Sequence, residues 1–188
     1  MNHFTAADLA PQPLETATAL AARFYSGEGT SAIDQAAVFN RHWQYVCHAS
    51  QIADEGDYTV AVLGQLPIIV IRTADGIRGF HNVCRHRAGP LAQCAGKGAK
   101  QLRCRYHGWT YNLDGTLRTA TEMKDVADFD VADIRLPALN IREFEGLVFA
   151  ASENPPPFEE FIEGIAERLA QSGYKLADLR FHQHLSYD

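Results

Sequence analysis

The sequence predicts a mainly β protein, an antiparallel sandwich or barrel flanked by short helices, and three observations lead there. From Trp43 onward the chain breaks into short runs rich in Val, Ile, Tyr and Phe. Turn dipeptides separate these runs: Gly64-Gln65, Asp75-Gly76 and Asp114-Gly115. Short strands joined by such turns at this density belong to sandwiches and barrels. Beyond Pro155-Pro156-Pro157 the spacing becomes helical, with apolar residues at 158, 161, 162, 165, 166 and 169.

Taken in order, residues 1–40 form an N-terminal helical arm. Leu14 to Tyr25 is Ala-rich and reads as a short helix, and Ser31 is placed to cap a helix ending at Phe39. Residues 41–151 form the β domain. Val60-Ala61-Val62-Leu63 and Ile68-Ile69-Val70-Ile71 flank a compact hairpin connection, with Pro67 expected to shorten the second strand. Thr121 to Arg135 is acidic and irregular, and Gly146 to Ala151 reads as the closing strand. Residues 152–188 add a helix from Phe158 to Gln171 and, by alternation, a strand from Leu179 to Tyr187.

Apolar residues make up 46% of the 188 and charged residues 21%, which excludes collagen, coiled coil and wholesale disorder. The longest apolar run, 66–71, is broken by Pro67 and falls far short of the roughly 20 residues of a membrane helix. The first basic residue is Arg23, so no secretory n-region is present and a cytoplasmic chain is expected. The net charge of −6 is unevenly spread. Residues 76–113 hold seven basic residues (Arg78, Arg85, Arg87, Lys97, Lys100, Arg103, Arg105) and no carboxylate; subtracting these from −6 leaves −13 on the rest. Three of the four cysteines share that window. An acidic chain argues against nucleic-acid binding.

Within the window stand Cys84-Arg85-His86 and, after seventeen intervening residues, Cys104-Arg105-Tyr106-His107. Two thiolates and two imidazoles brought together by short loops make a metal site by ligand chemistry. Zinc is one alternative, yet zinc fingers group cysteines with cysteines and histidines with histidines in sequence. Here each loop supplies one of each, which suits a two-iron cluster with both thiolates on one iron and both imidazoles on the other, the arrangement of a Rieske [2Fe–2S] centre.

The stretches Asn82 to Arg87 and Cys104 to Tyr111 resemble the Rieske domains of ring-hydroxylating and related non-haem iron oxygenases. The resemblance runs from Trp43-Gln44-Tyr45-Val46 through Gly56-Asp57-Tyr58 to Gly146-Leu147-Val148-Phe149. It implies a Rieske-type antiparallel β-sandwich with a smaller cluster-binding β subdomain. It also implies Cys84 and Cys104 on the inner iron, with His86 and His107 on the outer one. Respiratory members of the wider class carry an extra cysteine in each loop and a serine after the glycine; this chain has Tyr106 and Trp109 there, and keeps a tyrosine, Tyr111, placed to reach a cysteine sulfur. Fewer donors to sulfur imply a low-potential centre. Of the basic residues, Arg85 and Arg87 are the functional candidates beside the ligands, while Lys97 and Lys100 are read as solvating loops.

By resemblance, the domain takes electrons from a reductase or ferredoxin and passes them to a mononuclear Fe(II) in a C-terminal catalytic domain. A homotrimer is implied, in which a neighbour's carboxylate links a Rieske histidine to that iron. The D/E-x-x-H-x-x-x-x-H pattern of the catalytic iron is missing: His81 and His86 have the spacing, but Arg78 stands where the carboxylate belongs. Two readings therefore stand, the electron-transfer part of an oxygenase α subunit and a free-standing Rieske ferredoxin; a zinc-binding interaction module is a third. Substrate is open among aromatic rings, methyl ethers or amines, and quaternary ammonium compounds, with Asp128-Phe129-Asp130 faintly like the choline- and betaine-oxidising branch. Cys47 is expected to be a buried small hydrophobe and Cys94 a reduced thiol. His182 and His184 are read as ordinary strand histidines, and His42, His48 and His81 show no partner pattern.

Overall fold

The computed structural model describes residues 8, 10–26, 29–124, 126–152, 154–183 and 185. Nine strands form three antiparallel three-stranded sheets among these residues. The first sheet joins β1 (Gln44–His48), β9 (Leu147–Ala151) and β8 (Asn140–Phe144), in that order. The second is the meander β2 (Tyr58–Leu63), β3 (Leu66–Thr73) and β4 (Gly76–His81). The third is small: β5 (Leu102–Arg103), β6 (Thr110–Tyr111) and β7 (Leu117–Thr119).

Strand β3 organises the molecule because both of its faces are buried. Ile68 and Val70 point into a core shared with Cys47, Ile52, Leu139, Val148 and Ala150, which binds the first two sheets into a sandwich. Ile69 and Ile71, one residue out of phase, point into a second core with Phe80, Leu91, Leu102, Trp109, Tyr111, Leu117 and Leu136, under the small sheet. Period-2 alternation of side chains makes this division automatic once four apolar residues stand in a row. Segment 134–139 laces the cores together: Leu117 N–H donates to Ile134 O, Leu136 N–H to Gly115 O, and Leu139 N–H to Gly79 O. A third cluster, Trp43, Ala151 and Phe158, docks helix α3 (Phe158–Phe161) beside β9, and Trp43 Nε1 donates to Pro156 O at 2.8 Å. We number the helices in chain order, after α1 (Arg23–Ser26) and α2 (Thr30–Asp34) in the arm.

Several local expectations are corrected. Pro67 does not shorten its strand: Leu63 pairs with Leu66 across Gly64-Gln65, and Val62 pairs with Pro67. With Leu63 and Leu66 closing the turn, Pro67 falls at the next, non-hydrogen-bonded position of that ladder, and on its other side the Pro67 carbonyl still accepts the Asn82 N–H at 2.9 Å. The helix expected over 14–25 is reduced to α1, since the Gln12 side chain takes the Thr18 N–H and the segment buries no face to stabilise a helix. Gly29, not Ser31, precedes α2, which runs on as a π-turn to Phe39. Gly164, with φ of 74°, divides the C-terminal helix into α3 and α4 (Ile165–Ser172). No strand forms over the described part of 179–187. The chain makes a 3-10 turn at Leu176–Asp178 and then stays unpaired, because alternation without a sheet edge to join does not build a strand.

Candidate metal centre

Two loops at the edge of the second core carry the residues singled out by spacing, and they share one hydrogen-bond frame. In the first, Cys84 N–H donates to Gly89 O and Cys84 O accepts from Ala88 N–H. In the second, Cys104 N–H donates to Trp109 O and Cys104 O accepts from Gly108 N–H. Ala88 and Gly108, each four residues after the cysteine, both have left-handed φ, 54° and 76°. The sequence shows C-x-H and C-x-x-H; the backbone shows a single turn used twice, with the histidine third in one loop and fourth in the other.

The turns bring like donors together. Cys84 and Cys104 are buried, 3% and 2% exposed, in the same core cluster. His86 and His107 lie further out, edge to face, with ring centroids 4.6 Å apart. Tyr111, fully buried, places its hydroxyl 3.3 Å from Cys84 Sγ and accepts the Arg85 N–H at 2.9 Å. With Cys84 as a free thiol either atom can donate; with Cys84 as a metal-bound thiolate the Tyr111 hydroxyl is the donor of the pair. Burial and the neighbouring Cys84 push the Tyr111 hydroxyl well above its ordinary pKa, so it stays a donor. Burial likewise raises the Cys84 thiol, an effect countered by Tyr111 and reinforced by Cys104. Desolvation, then His107 and Arg87, hold His86 below the ordinary histidine value, in the neutral form that binds metals.

The donor set fits a two-iron, two-sulfide cluster on an observation independent of spacing. His86 Nδ1 is buried without a hydrogen-bond partner, and a buried ring nitrogen of that kind requires an acceptor of its lone pair or a donor to it. The four residues could hold a cluster with thiols inward and imidazoles outward. Open grooves flank the loops, one of about 670 Å³ past Arg103, Arg105 and His107, another of about 340 Å³ past Arg85, His86 and Arg87. No carboxylate among the described residues pairs with these four arginines.

Two supporting residues were not singled out for a role by the sequence. Asn82, 6% exposed, donates to Ala92 O and accepts the Leu91 and Ala92 N–H groups, pinning the chain just beyond the first loop. Asp57, 3% exposed, accepts the N–H groups of Asp54 and Gly98 and pairs with Lys97 Nζ at 2.8 Å. Lys97 is therefore not a loop-solvating charge: it also donates to Gln51 O and ties the connection between the two turns to β2. Gly56 completes the joint; its φ is 86°, and a Cβ there would lie 2.2 Å from Ala99 O. Lys100 is exposed, as expected.

The remaining candidates separate cleanly. Cys47 is buried, its thiol pushed up to about 12 by desolvation, and Cys94 is exposed; both are free. His48 has partners that its sequence context hid: Ser50 N–H donates to Nδ1, and Nε2 lies 3.1 Å from Leu176 O. His182 is exposed and on no strand, and His184 lies outside the described residues.

Comparison with known proteins agrees with this geometry. Residues 42–130 match the Rieske [2Fe-2S] domain. The chain is 35% identical over 160 residues to a carnitine monooxygenase oxygenase subunit of Acinetobacter baumannii, covering 84% of this chain and 43% of the relative. It is 36% identical over 142 residues to a glycine betaine monooxygenase oxygenase subunit of Pseudomonas aeruginosa, covering 74% of this chain and 33% of that one. A crystal structure of a quaternary ammonium Rieske monooxygenase in complex with L-carnitine superposes with a TM-score of 0.74 at 34% identity, over 80% of this chain and 43% of the other. Fold and loops thus define a Rieske [2Fe–2S] domain. The chain is similar to Rieske-containing oxygenase subunits and spans less than half the length of the relatives it matches. No helix among the described residues is long and apolar enough to cross a membrane.

Proposed function

We propose that this chain is the electron-transfer portion of a Rieske non-haem iron oxygenase α subunit, with Cys84 and Cys104 holding one iron and His86 and His107 the other. The observation that carries this reading is the sorting of donors, thiol beside thiol in the core and imidazole beside imidazole towards solvent. When bound, the cluster accepts one electron from a reductase or ferredoxin and yields it to a mononuclear iron in the catalytic part of the oxygenase. The chain's own residues set the conditions for that exchange. The buried cysteines keep one end dry, and Tyr111 donates to Cys84 Sγ, which favours added negative charge. His86 and His107 offer the outward edge, and Arg85, Arg87, Arg103 and Arg105 surround it with uncompensated positive charge that suits an acidic donor.

Residues 41–151 form the cluster domain in this reading, and a trimeric oxygenase in the reducing cytoplasm is its setting, in keeping with Cys47 and Cys94 as free thiols. The relatives' names supply the substrate class, a quaternary ammonium compound such as carnitine or glycine betaine. Purified protein is expected to contain two irons and two acid-labile sulfides per chain and to lose its visible absorption on Cys84→Ser. Zinc in place of iron, or a Cys84→Ser protein with unchanged iron and sulfide, defeats the assignment. Substrate-dependent oxygen uptake by the intact oxygenase, compared between carnitine and an aromatic hydrocarbon, tests the substrate class.

A further inference from the structure

The two cysteine-bearing turns have different bases. The second is the bend of a hairpin: Arg103 pairs with Thr110 and Leu102 with Tyr111, so backbone hydrogen bonds hold its two legs together. The first leaves β4 at His81 and meets no strand on its return, since residues 82–101 form only an isolated bridge, Gly96 to Tyr58. One side chain stands where the missing ladder would be. Asn82 Nδ2 donates to Ala92 O at 2.7 Å, and Ala92 N–H donates back to Asn82 Oδ1 at 3.0 Å. That reciprocal exchange is what a hydrogen-bonded residue pair makes in an antiparallel ladder. Leu91 N–H fills the second lone pair of the same oxygen at 3.0 Å. The main chain of Asn82 is itself fixed, its N–H donating to Pro67 O on β3 at 2.9 Å.

We infer that Asn82 is a positioning residue for the cluster. Its carboxamide substitutes for a strand pair and closes the base of the first turn, and so sets where Cys84 and His86 stand relative to Cys104 and His107. The inference rests on the reading of these four residues as ligands. The bonds inside the turn, Cys84 N–H to Gly89 O and Ala88 N–H to Cys84 O, shape its tip, and Arg85 N–H reaches across to the Tyr111 hydroxyl. None of these holds the return leg, which Asn82 joins to the end of β4 at Leu91 and Ala92. Leu91 packs in the core that also holds both cysteines, so the clasp carries the position of that core to the turn. An asparagine only 6% exposed is costly to bury unless its amide is bonded, and here three bonds converge on one short segment.

The test uses the full chain with its cluster and compares wild type, Asn82→Ala, Asn82→Asp and, as a remote core change, Phe158→Leu. Iron and sulfide are counted first: a wild type lacking two of each overturns the ligand reading and this inference together, while a loaded wild type isolates the inference. Peptide-resolved hydrogen exchange and electron paramagnetic resonance of the reduced protein are then read. Asn82→Ala is expected to speed exchange over 84–92 about tenfold, the effect of roughly one net hydrogen bond, and to leave 104–110 unchanged. Its resonance lines are expected to broaden as Cys84 and His86 take a spread of positions, whereas Phe158→Leu keeps the wild-type spectrum. Asn82→Asp retains the acceptor for both N–H groups and loses only the donor, so its exchange should fall between wild type and Asn82→Ala. Equal acceleration of both turns overturns the inference, because Asn82 then stabilises the fold at large. A loaded Asn82→Ala protein with the wild-type spectrum overturns it as well. Should Asn82→Ala hold no cluster, Asn82→Asp is read by the same criteria, and an Asn82→Asp protein with wild-type exchange and spectrum overturns the inference.

Discussion

Ala88 occupies a backbone conformation that its counterpart Gly108 occupies without a side chain, with φ of 54° against 76°. For a residue with a Cβ the left-handed region costs about 1–2 kcal/mol, of which glycine's greater chain entropy returns a part. Ala88→Gly is therefore expected to stabilise the protein by roughly 0.5–1 kcal/mol. Gly108→Ala should destabilise it by more, because the new Cβ would lie 3.1 Å from Thr121 Oγ1 as well as in a strained conformation. Chemical denaturation of both variants measures the difference, and equal effects of one sign would refute the equivalence of the two turns. The spacing of the cysteines and histidines singled out two loops because metal ligation constrains residue type and short-range separation together, and the fold brings those two loops side by side. The shared turn was not legible, because it is written in carbonyl and amide directions rather than in side chains.

At the scale of elements, the connection between the two turns is held by a joint remote in sequence. Lys97 first, and then the N–H groups of Asp54 and Gly98, hold the Asp57 carboxyl below its ordinary value. A lowered folded-state value means that the stabilisation is complete above about pH 4, the unfolded value, and disappears as pH falls through the lowered one. Asp57→Asn should cost about 2 kcal/mol near neutrality, in line with hydrogen bonds to a charged acceptor. The gap in melting temperature between wild type and Asp57→Asn should hold steady down to about pH 5 and close below pH 4. A gap that widens on acidification would contradict the joint. The hairpins were readable because turn dipeptides and alternation act within a few residues. Asp57 and Lys97 acquire their roles only when the fold closes 40 residues of chain, and His48 meets Leu176 across 128. The same distance effect leaves no strand over the described part of 179–187, whose alternation found no edge; Phe181 N–H donates to Ser50 Oγ instead.

Across the whole molecule, the basic window seen in the sequence is partly neutralised in space. Asp75 lies 3.6 Å from Arg78 and Asp57 lies 2.8 Å from Lys97, both carboxylates coming from outside the window. Among the described residues, the arginines on the two turns and Lys100 are the window's charges with no ion-pair partner. Arg85→Glu combined with Arg105→Glu is expected to slow reduction by an acidic protein donor about tenfold at low salt, with the difference shrinking as ionic strength rises. Stopped-flow reduction across a salt series measures this, and a salt-independent rate equal to wild type would count against steering. A last consequence belongs to β3. With Ile68 and Val70 on one side and Ile69 and Ile71 on the other, the strand is a party wall between two rooms. Neither room can be remodelled alone: trimming Val70 on the sandwich side disturbs the masonry behind the cysteines, so substitutions far from the cluster still reach it through the brickwork.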